Sequence, residues 1–202
     1  MRIVIAGIIG GLVIFIWSAI AHTALPIGEA GFKVPAQQEA VLDALSQSTA
    51  GEGVYMYPSM EMEQYRDETA SAAFEQRSNG KPYAFVIYQP GGNPVNQSMT
   101  PALVKQVVTD IFSALVAAWI LALGAWSFRR RVLVAGALGL FAWLAISLPQ
   151  WNWYMFPMSL TLAGLIEEVI GWLLAGAAMA WWLRRGDKET LHAPINEQRL
   201  TH

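Results

Sequence analysis

Apolar residues gather in four long runs, separated by one long stretch of mixed character and two short polar breaks. The runs cover Ile3 to Ala21, Ala102 to Trp126, Val132 to Leu148 and Leu160 to Leu183. Crossing the hydrocarbon of a bilayer takes roughly 20 mostly apolar residues, and about 17 suffice. The third run meets only that lower bound, set between Arg131 and Pro149. The pattern predicts four transmembrane helices.

The long stretch between the first two runs has patterning of its own. "PAQQEAVLDALSQS", Pro35 to Ser48, places Val41, Leu42 and Leu45 at helical spacing with Pro35 in the first turn. "GVYMY", Gly53 to Tyr57, and "YAFVIY", Tyr83 to Tyr88, read as strands. The segment between them predicts a helix with Ser59 as N-cap and Gly80 just past its end. Thr100 and Pro101 form a cap pair for the second span. The predicted fold is an all-α membrane bundle of four transmembrane helices with a small α/β extracytoplasmic cap inserted between helices 1 and 2. Its parts are helix 1 (1–22), the cap (23–101), helices 2–4 (102–184) and a cytoplasmic tail (185–202). Two strands make a poor independent sheet, so the cap is expected to rest on the helix ends.

Composition sharpens this picture. The chain is 54% hydrophobic and only 14% charged, where soluble domains carry nearer a quarter charged residues. Nine tryptophans suit membrane interfaces. The net charge of -2 offers no basic footprint for nucleic acid. Without cysteine there is no disulfide, thiol nucleophile or thiolate-ligated metal.

Arg2, the "FRRR" stretch and "LRRGDK" mark three cytoplasmic positions, by the preference of Lys and Arg for that side. Thr23 to Pro101 holds nine acidic and four basic residues, and Pro149 to Pro157 holds no charge; both read as outside. Both termini are therefore expected inside. A cleaved signal peptide ending at "AIA" is the alternative for the first run. An apolar stretch of this length exceeds the roughly 7–15 residues of a signal core and favours an uncleaved anchor.

The candidate chemistry lies in three acids within the runs. Asp110 shares a helical stripe with Ala114, Ala117 and Gly124, with Ser113 alongside. Glu168 shares one with Gly164, Gly171 and Ala175. Such small-residue stripes face other helices. Glu167 is turned about 100° away, toward the bundle flank or a neighbouring subunit. Asp110 falls about 12 Å inward of its helix start, Glu168 sits at similar depth, and His22 stands at the outer end of the first span. Acids within a span usually mark function.

The predicted pocket comprises His22, Asp110, Ser113, Glu167 and Glu168. The aromatic "WNWYMF" stretch reads first as an interface belt, and its Asn152 and Tyr154 are the residues that can also reach the pocket mouth, as a lid. His22, Asp110 and Glu168 together offer imidazole and carboxylate ligands for a divalent metal, though without the close spacing of an H-E-x-x-H motif. Protonated acids, or basic cap residues reaching down to them, are the other ways to balance the charge. A buried polar pair that merely fixes helix packing is the plainer reading.

"HTALPIGEAGF", His22 to Phe32, and "PQWNWYMFP" resemble segments of bacterial four-span inner-membrane proteins to which no activity is attached. The resemblance covers most of the chain and implies a bacterial inner-membrane location. The large first outer loop is also similar in plan to claudin-type proteins, but their W-G-L-W and paired-cysteine pattern is absent. The sequence thus favours a non-enzymatic binding or accessory protein that recognises a cation, a lipid headgroup or a partner. Its expected company is membrane lipid, a second copy of itself or a membrane partner protein. A membrane-embedded metal enzyme acting on a lipid-linked substrate and a small proton-coupled transporter are the alternatives.

Overall fold

The computed structural model describes the backbone of residues 1–192 and the side chains through residue 185. The remainder of the expected 185–202 tail lies outside the described residues. The chain divides into two compact units: Met1–Lys33 with Ser98–His202, and Val34–Gln97.

The first unit is helical. It contains α1 (Arg2–Thr23), α4 (Thr100–Ala122), α5 (Phe128–Tyr154) and α6 (Met158–His192). Each has a stretch long and apolar enough to cross a membrane. Their packing order is α4, α1, α6, α5; α4 runs along α1 and only grazes α5 and α6. Small residues form the contacts. In α1 the buried residues are Ala6, Gly7, Gly10, Gly11 and Ala21, while Val4, Ile8, Leu12, Ile16 and Ile20 are exposed along the opposite stripe. A Cβ on Gly11 would lie 2.5 Å from Ile111 Cα, and one on Gly10 would lie 2.7 Å from Met179 Sδ. Glycine thus sets the distance of α1 from both α4 and α6. On α4 the same inversion holds: Ala114, Ala117 and Ala118 are buried, whereas Val108, Phe112, Val116 and Trp119 are exposed.

Two boundaries differ from the sequence expectation. The third apolar helix does not stop at Pro149. It begins at Phe128, with Ser127 Oγ accepting from Arg130 N, and continues through Pro149 to Tyr154. Proline removes one donor, a loss that a helix already packed on a neighbour can tolerate. The stop comes instead from Met155, which adopts a left-handed conformation (φ 57°), and from Pro157 just beyond it. Most of the expected extended connection 149–157 is therefore helix. At the other end, Arg131 is only 3% exposed and its Nε donates to Leu121 O (3.2 Å), tying the start of α5 to the last turn of α4. At the second span, Met99 occupies the N-cap position and Thr100 is already helical.

Residues 24–33 belong to the helical unit. They fold back in successive turns on the end of α1, with Gly28 N donating to Ala21 O (3.2 Å). A Cβ on Gly28 would lie 2.6 Å from His22 Cα, so only glycine permits this approach.

The second unit contains α2 (Gln38–Ser48), β1 (Gly53–Tyr57), α3 (Glu68–Ser78) and β2 (Ala84–Tyr88). The strands pair antiparallel, with Val54 opposite Ile87 and Met56 opposite Phe85. Helix α2 starts after Pro35, not at it. Helix α3 is shorter than predicted: Ser59 is not its cap. Asp67 is, its Oδ1 accepting from Thr69 N (2.8 Å) and Ala70 N (3.1 Å). An aspartate that can accept two backbone donors at the helix start outcompetes a distant serine. Gly80 takes the left-handed conformation foreseen for it (φ 69°).

None of the residues from Val34 to Gln97 is classed as buried, and Ile87 is 75% exposed. A unit without a buried core has no apolar term to offset its chain entropy. The isolated segment 34–97 is therefore expected to show no cooperative thermal transition in water by circular dichroism. A sharp, reversible transition would show that it folds alone.

Candidate functional site

Helices α1, α4 and α6 enclose a cavity of ≈ 170 Å³. Helix α1 contributes Ile14, Trp17 and Ser18; α4 contributes Gln106, Asp110 and Ser113. Helix α6 contributes Glu167, Glu168, Gly171 and Trp172. Gly171 makes room for the Trp17 indole, since a Cβ there would lie 2.9 Å from Trp17 Cδ1. So placed, Trp17 Nε1 donates to Glu167 O (3.0 Å) and Ser18 Oγ donates to Glu167 Oε1 (2.8 Å). These two bonds lock α1 to α6 at the cavity.

The three carboxylates are held differently. Asp110 is 7% exposed. Its Oδ1 accepts from Gln106 Nε2 (2.8 Å), one turn earlier on α4, while its buried Oδ2 has no donor. Glu168 Oε2 accepts from Trp172 Nε1 (3.2 Å), one turn later on α6. Glu167 is bridged across helices by Ser18. Ser113 Oγ turns back to Thr109 O (3.0 Å). No lysine, arginine or histidine lines this cavity. Within the cavity lining, hydrogen bonds hold the acids.

A second cavity of ≈ 260 Å³ lies beside it, lined by His22, Gly28 and Phe32 together with Gln150, Phe156 and Gly164, among others. Glu167 lines both. His22 is half exposed at the end of α1. Its Nδ1 lies 3.0 Å from Ser18 O and 3.4 Å from Glu167 Oε1. Both neighbours only accept, so Nδ1 carries a proton and donates to the carbonyl.

The structure therefore brings Asp110, Ser113, Glu167 and Glu168 together, with His22 next door against Glu167. It does not form the metal set: among the described residues no group of three His, Asp or Glu converges as metal ligands. His22, the histidine expected to join Asp110 and Glu168, lines the neighbouring cavity instead. Asn152 and Tyr154 do not line either cavity; they sit in the last turn of α5, in what was expected to be the outer connection. Glu167 faces the bundle, not its flank. Trp17, Gln106 and Trp172 were missed as lining residues. The signal for two of them was present: Gln106 stands four before Asp110, and Trp172 four after Glu168, the spacing at which helix side chains meet.

No family model matches the chain, and no curated protein or solved structure is similar enough to it to carry an argument.

Because Glu167 alone is bonded across helices, its removal should loosen the bundle more than removal of Glu168. Glu167→Ala is expected to lower stability in detergent by about 1–3 kcal/mol, the range for leaving a buried or charged partner unmet. Glu167→Gln, which can still accept from Ser18, should lower it less. Thermal unfolding of the purified variants reads this; equal melting of Glu167→Ala and Glu168→Ala would refute the cross-helix role.

Proposed function

We propose that this protein is a multi-pass membrane protein of four spans, with both termini cytoplasmic, that binds a cation in the acid-lined cavity. Support for membrane embedding comes from the inverted side-chain pattern. Small residues face inward and large aliphatic residues face outward, as suits helices whose surroundings are as apolar as leucine. Arg129, Arg130 and Arg184 cluster at one end of the bundle, and Arg185 lies over the Trp181 ring (3.7 Å), a pairing suited to an interface. Placing that end in the cytoplasm puts His22 and the acids on the outer side.

A bacterial inner membrane, with the second unit in the periplasm, is the setting this reading assigns. Lipid surrounds the bundle, and a second copy or a partner protein covers the coreless unit.

The observation that carries the binding reading is Asp110. It sits buried on the wall of a cavity with two further carboxylates, no basic side chain, and one oxygen lacking any donor. Acids in a span are costly and tend to be retained for a task. A cation supplies both the charge and the missing contact. Binding is favoured over metal-dependent catalysis because the three expected ligands do not converge.

The chain has no cysteine, so single cysteines report orientation cleanly. Glu63→Cys should react with an impermeant maleimide in intact spheroplasts, and Arg130→Cys only after the membrane is opened. The reverse result would invert the topology.

Calorimetric titration of purified protein with sodium, potassium, magnesium and ethylammonium salts tests the cavity. At least one cation should bind saturably, and Asp110→Asn should weaken it about tenfold or more, the loss expected for one charge-assisted contact. Undiminished affinity in Asp110→Asn, or no saturable binding of any cation, would refute the proposal.

A further inference from the structure

We infer that the cation is a primary alkylammonium group, an R–NH₃⁺ bearing a short methylene stem; this rests on the cation-binding reading above. Four observations narrow the class. Among the described residues no three His, Asp or Glu side chains converge as they would in an all-protein site for a divalent metal. The cavity's unmet need is instead for donors. Each carboxylate offers about four acceptor positions. Asp110 and Glu168 each receive one donor, Gln106 and Trp172, while Glu167 receives Ser18 and has His22 Nδ1 3.4 Å away. Asp110 Oδ2, more than nine-tenths buried with its residue, has none at all. A primary ammonium carries three N–H donors in a compact head. A quaternary ammonium carries none and would leave that oxygen orphaned.

Size and lining agree. A cavity of about 150 Å³ can hold a benzene-sized molecule, and this one measures ≈ 170 Å³. That is room for an ammonium nitrogen with a few attached heavy atoms, not for a large ligand. Beside the acids, Ile14 and the indoles of Trp17 and Trp172 also line the cavity. Their ring N–H groups are already committed to Glu167 O and to Glu168. What these side chains can still offer is apolar surface and ring π-density, which suit methylenes next to a positive nitrogen.

The way in is also indicated. Helix α4 grazes α6, while it lies flush along α1. Gln106 and Ser113, both exposed, line the cavity from the α4 side. An amine can therefore arrive sideways between α4 and α6, whether it belongs to an ethanolamine lipid headgroup or to a small soluble amine.

The test is a matched series on the full-length protein in detergent: ethylammonium, tetramethylammonium, sodium and magnesium chlorides at equal ionic strength, read by thermal unfolding and calorimetry. Ethylammonium should raise the melting temperature and bind about tenfold or more tighter than tetramethylammonium, with the preference lost in Asp110→Asn. Equal effects of the two ammonium salts would overturn the inference. Saturable, Asp110-dependent binding of sodium or magnesium without ethylammonium would also overturn it, yet would leave the cation-binding reading standing. Binding of none would refute both.

A second arm finds the source. The protein is placed in nanodiscs of phosphatidylcholine with or without phosphatidylethanolamine, and retained lipid is read by native mass spectrometry. Selective retention of the ethanolamine lipid, lost in Asp110→Asn, assigns the headgroup. Ethylammonium binding without that retention assigns a soluble amine.

Discussion

The closeness of α1 to its neighbours governs the rest of the helical unit. Gly7 and Gly11 bring it against α4, and Gly10 brings it against α6, at distances where a single Cβ would collide with backbone or side chain. Dispersion contacts depend steeply on distance, so flush packing of small residues can hold helices together without large apolar knobs. The same approach sets Trp17 and Ser18 within bonding range of Glu167. Were α1 displaced by the width of a methyl group, the bridge to α6 would open and the cavity would lose one wall.

Within that frame the acids divide the labour. Asp110 and Glu168 draw donors from one turn away on their own helices, so their placement costs α4 and α6 little cooperation. Glu167 alone reaches across, and it alone touches both cavities. The acids consequently differ in role: one carboxylate joins helices, and two keep acceptor capacity not used by the described side chains. The second unit follows a contrary logic. Its capped helix α3 and its short hairpin are locally well specified, but no residue in it is buried. Local hydrogen bonding defines its elements, and burial does not.

Much of this was legible in the sequence, because a spanning helix announces itself by length and composition alone. The four helices, both strands, and the inward placement of Asp110 and Glu168 follow from runs and stripes. What failed did so for identifiable reasons. Pro149 was taken as a stop because proline ends isolated helices; the chain continues because the true terminator is a left-handed Met155, which no residue preference foretells. Ser59 lost to Asp67 because capping strength is decided by which side chain can reach two free N–H groups. Glu167 lies about 100° from the small-residue stripe, which points to the flank or a neighbouring subunit; the structure instead sets it against Ser18 and His22 of α1, because α6 packs on both α1 and α5. His22 was grouped with Asp110 by depth, but depth says nothing of azimuth.

The position of α1 also bears on how the molecule is made. It is the first of the four helices to be synthesised and one of the two at the centre, yet one of its two partners, α6, comes last. Its glycine face waits for α4, and its tryptophan for α6, whose first turn begins at Met158. At typical elongation rates of about 5–20 residues per second, the interval before α6 begins lasts roughly seven to twenty-seven seconds. On the membrane reading proposed above, the part of α1 shaped for α6, with Gly10 and Trp17, stands open to other helices during that time. The close contacts that make the finished bundle tight thus also create a timing problem, and on that reading α1 is exposed to mispairing until α6 is made.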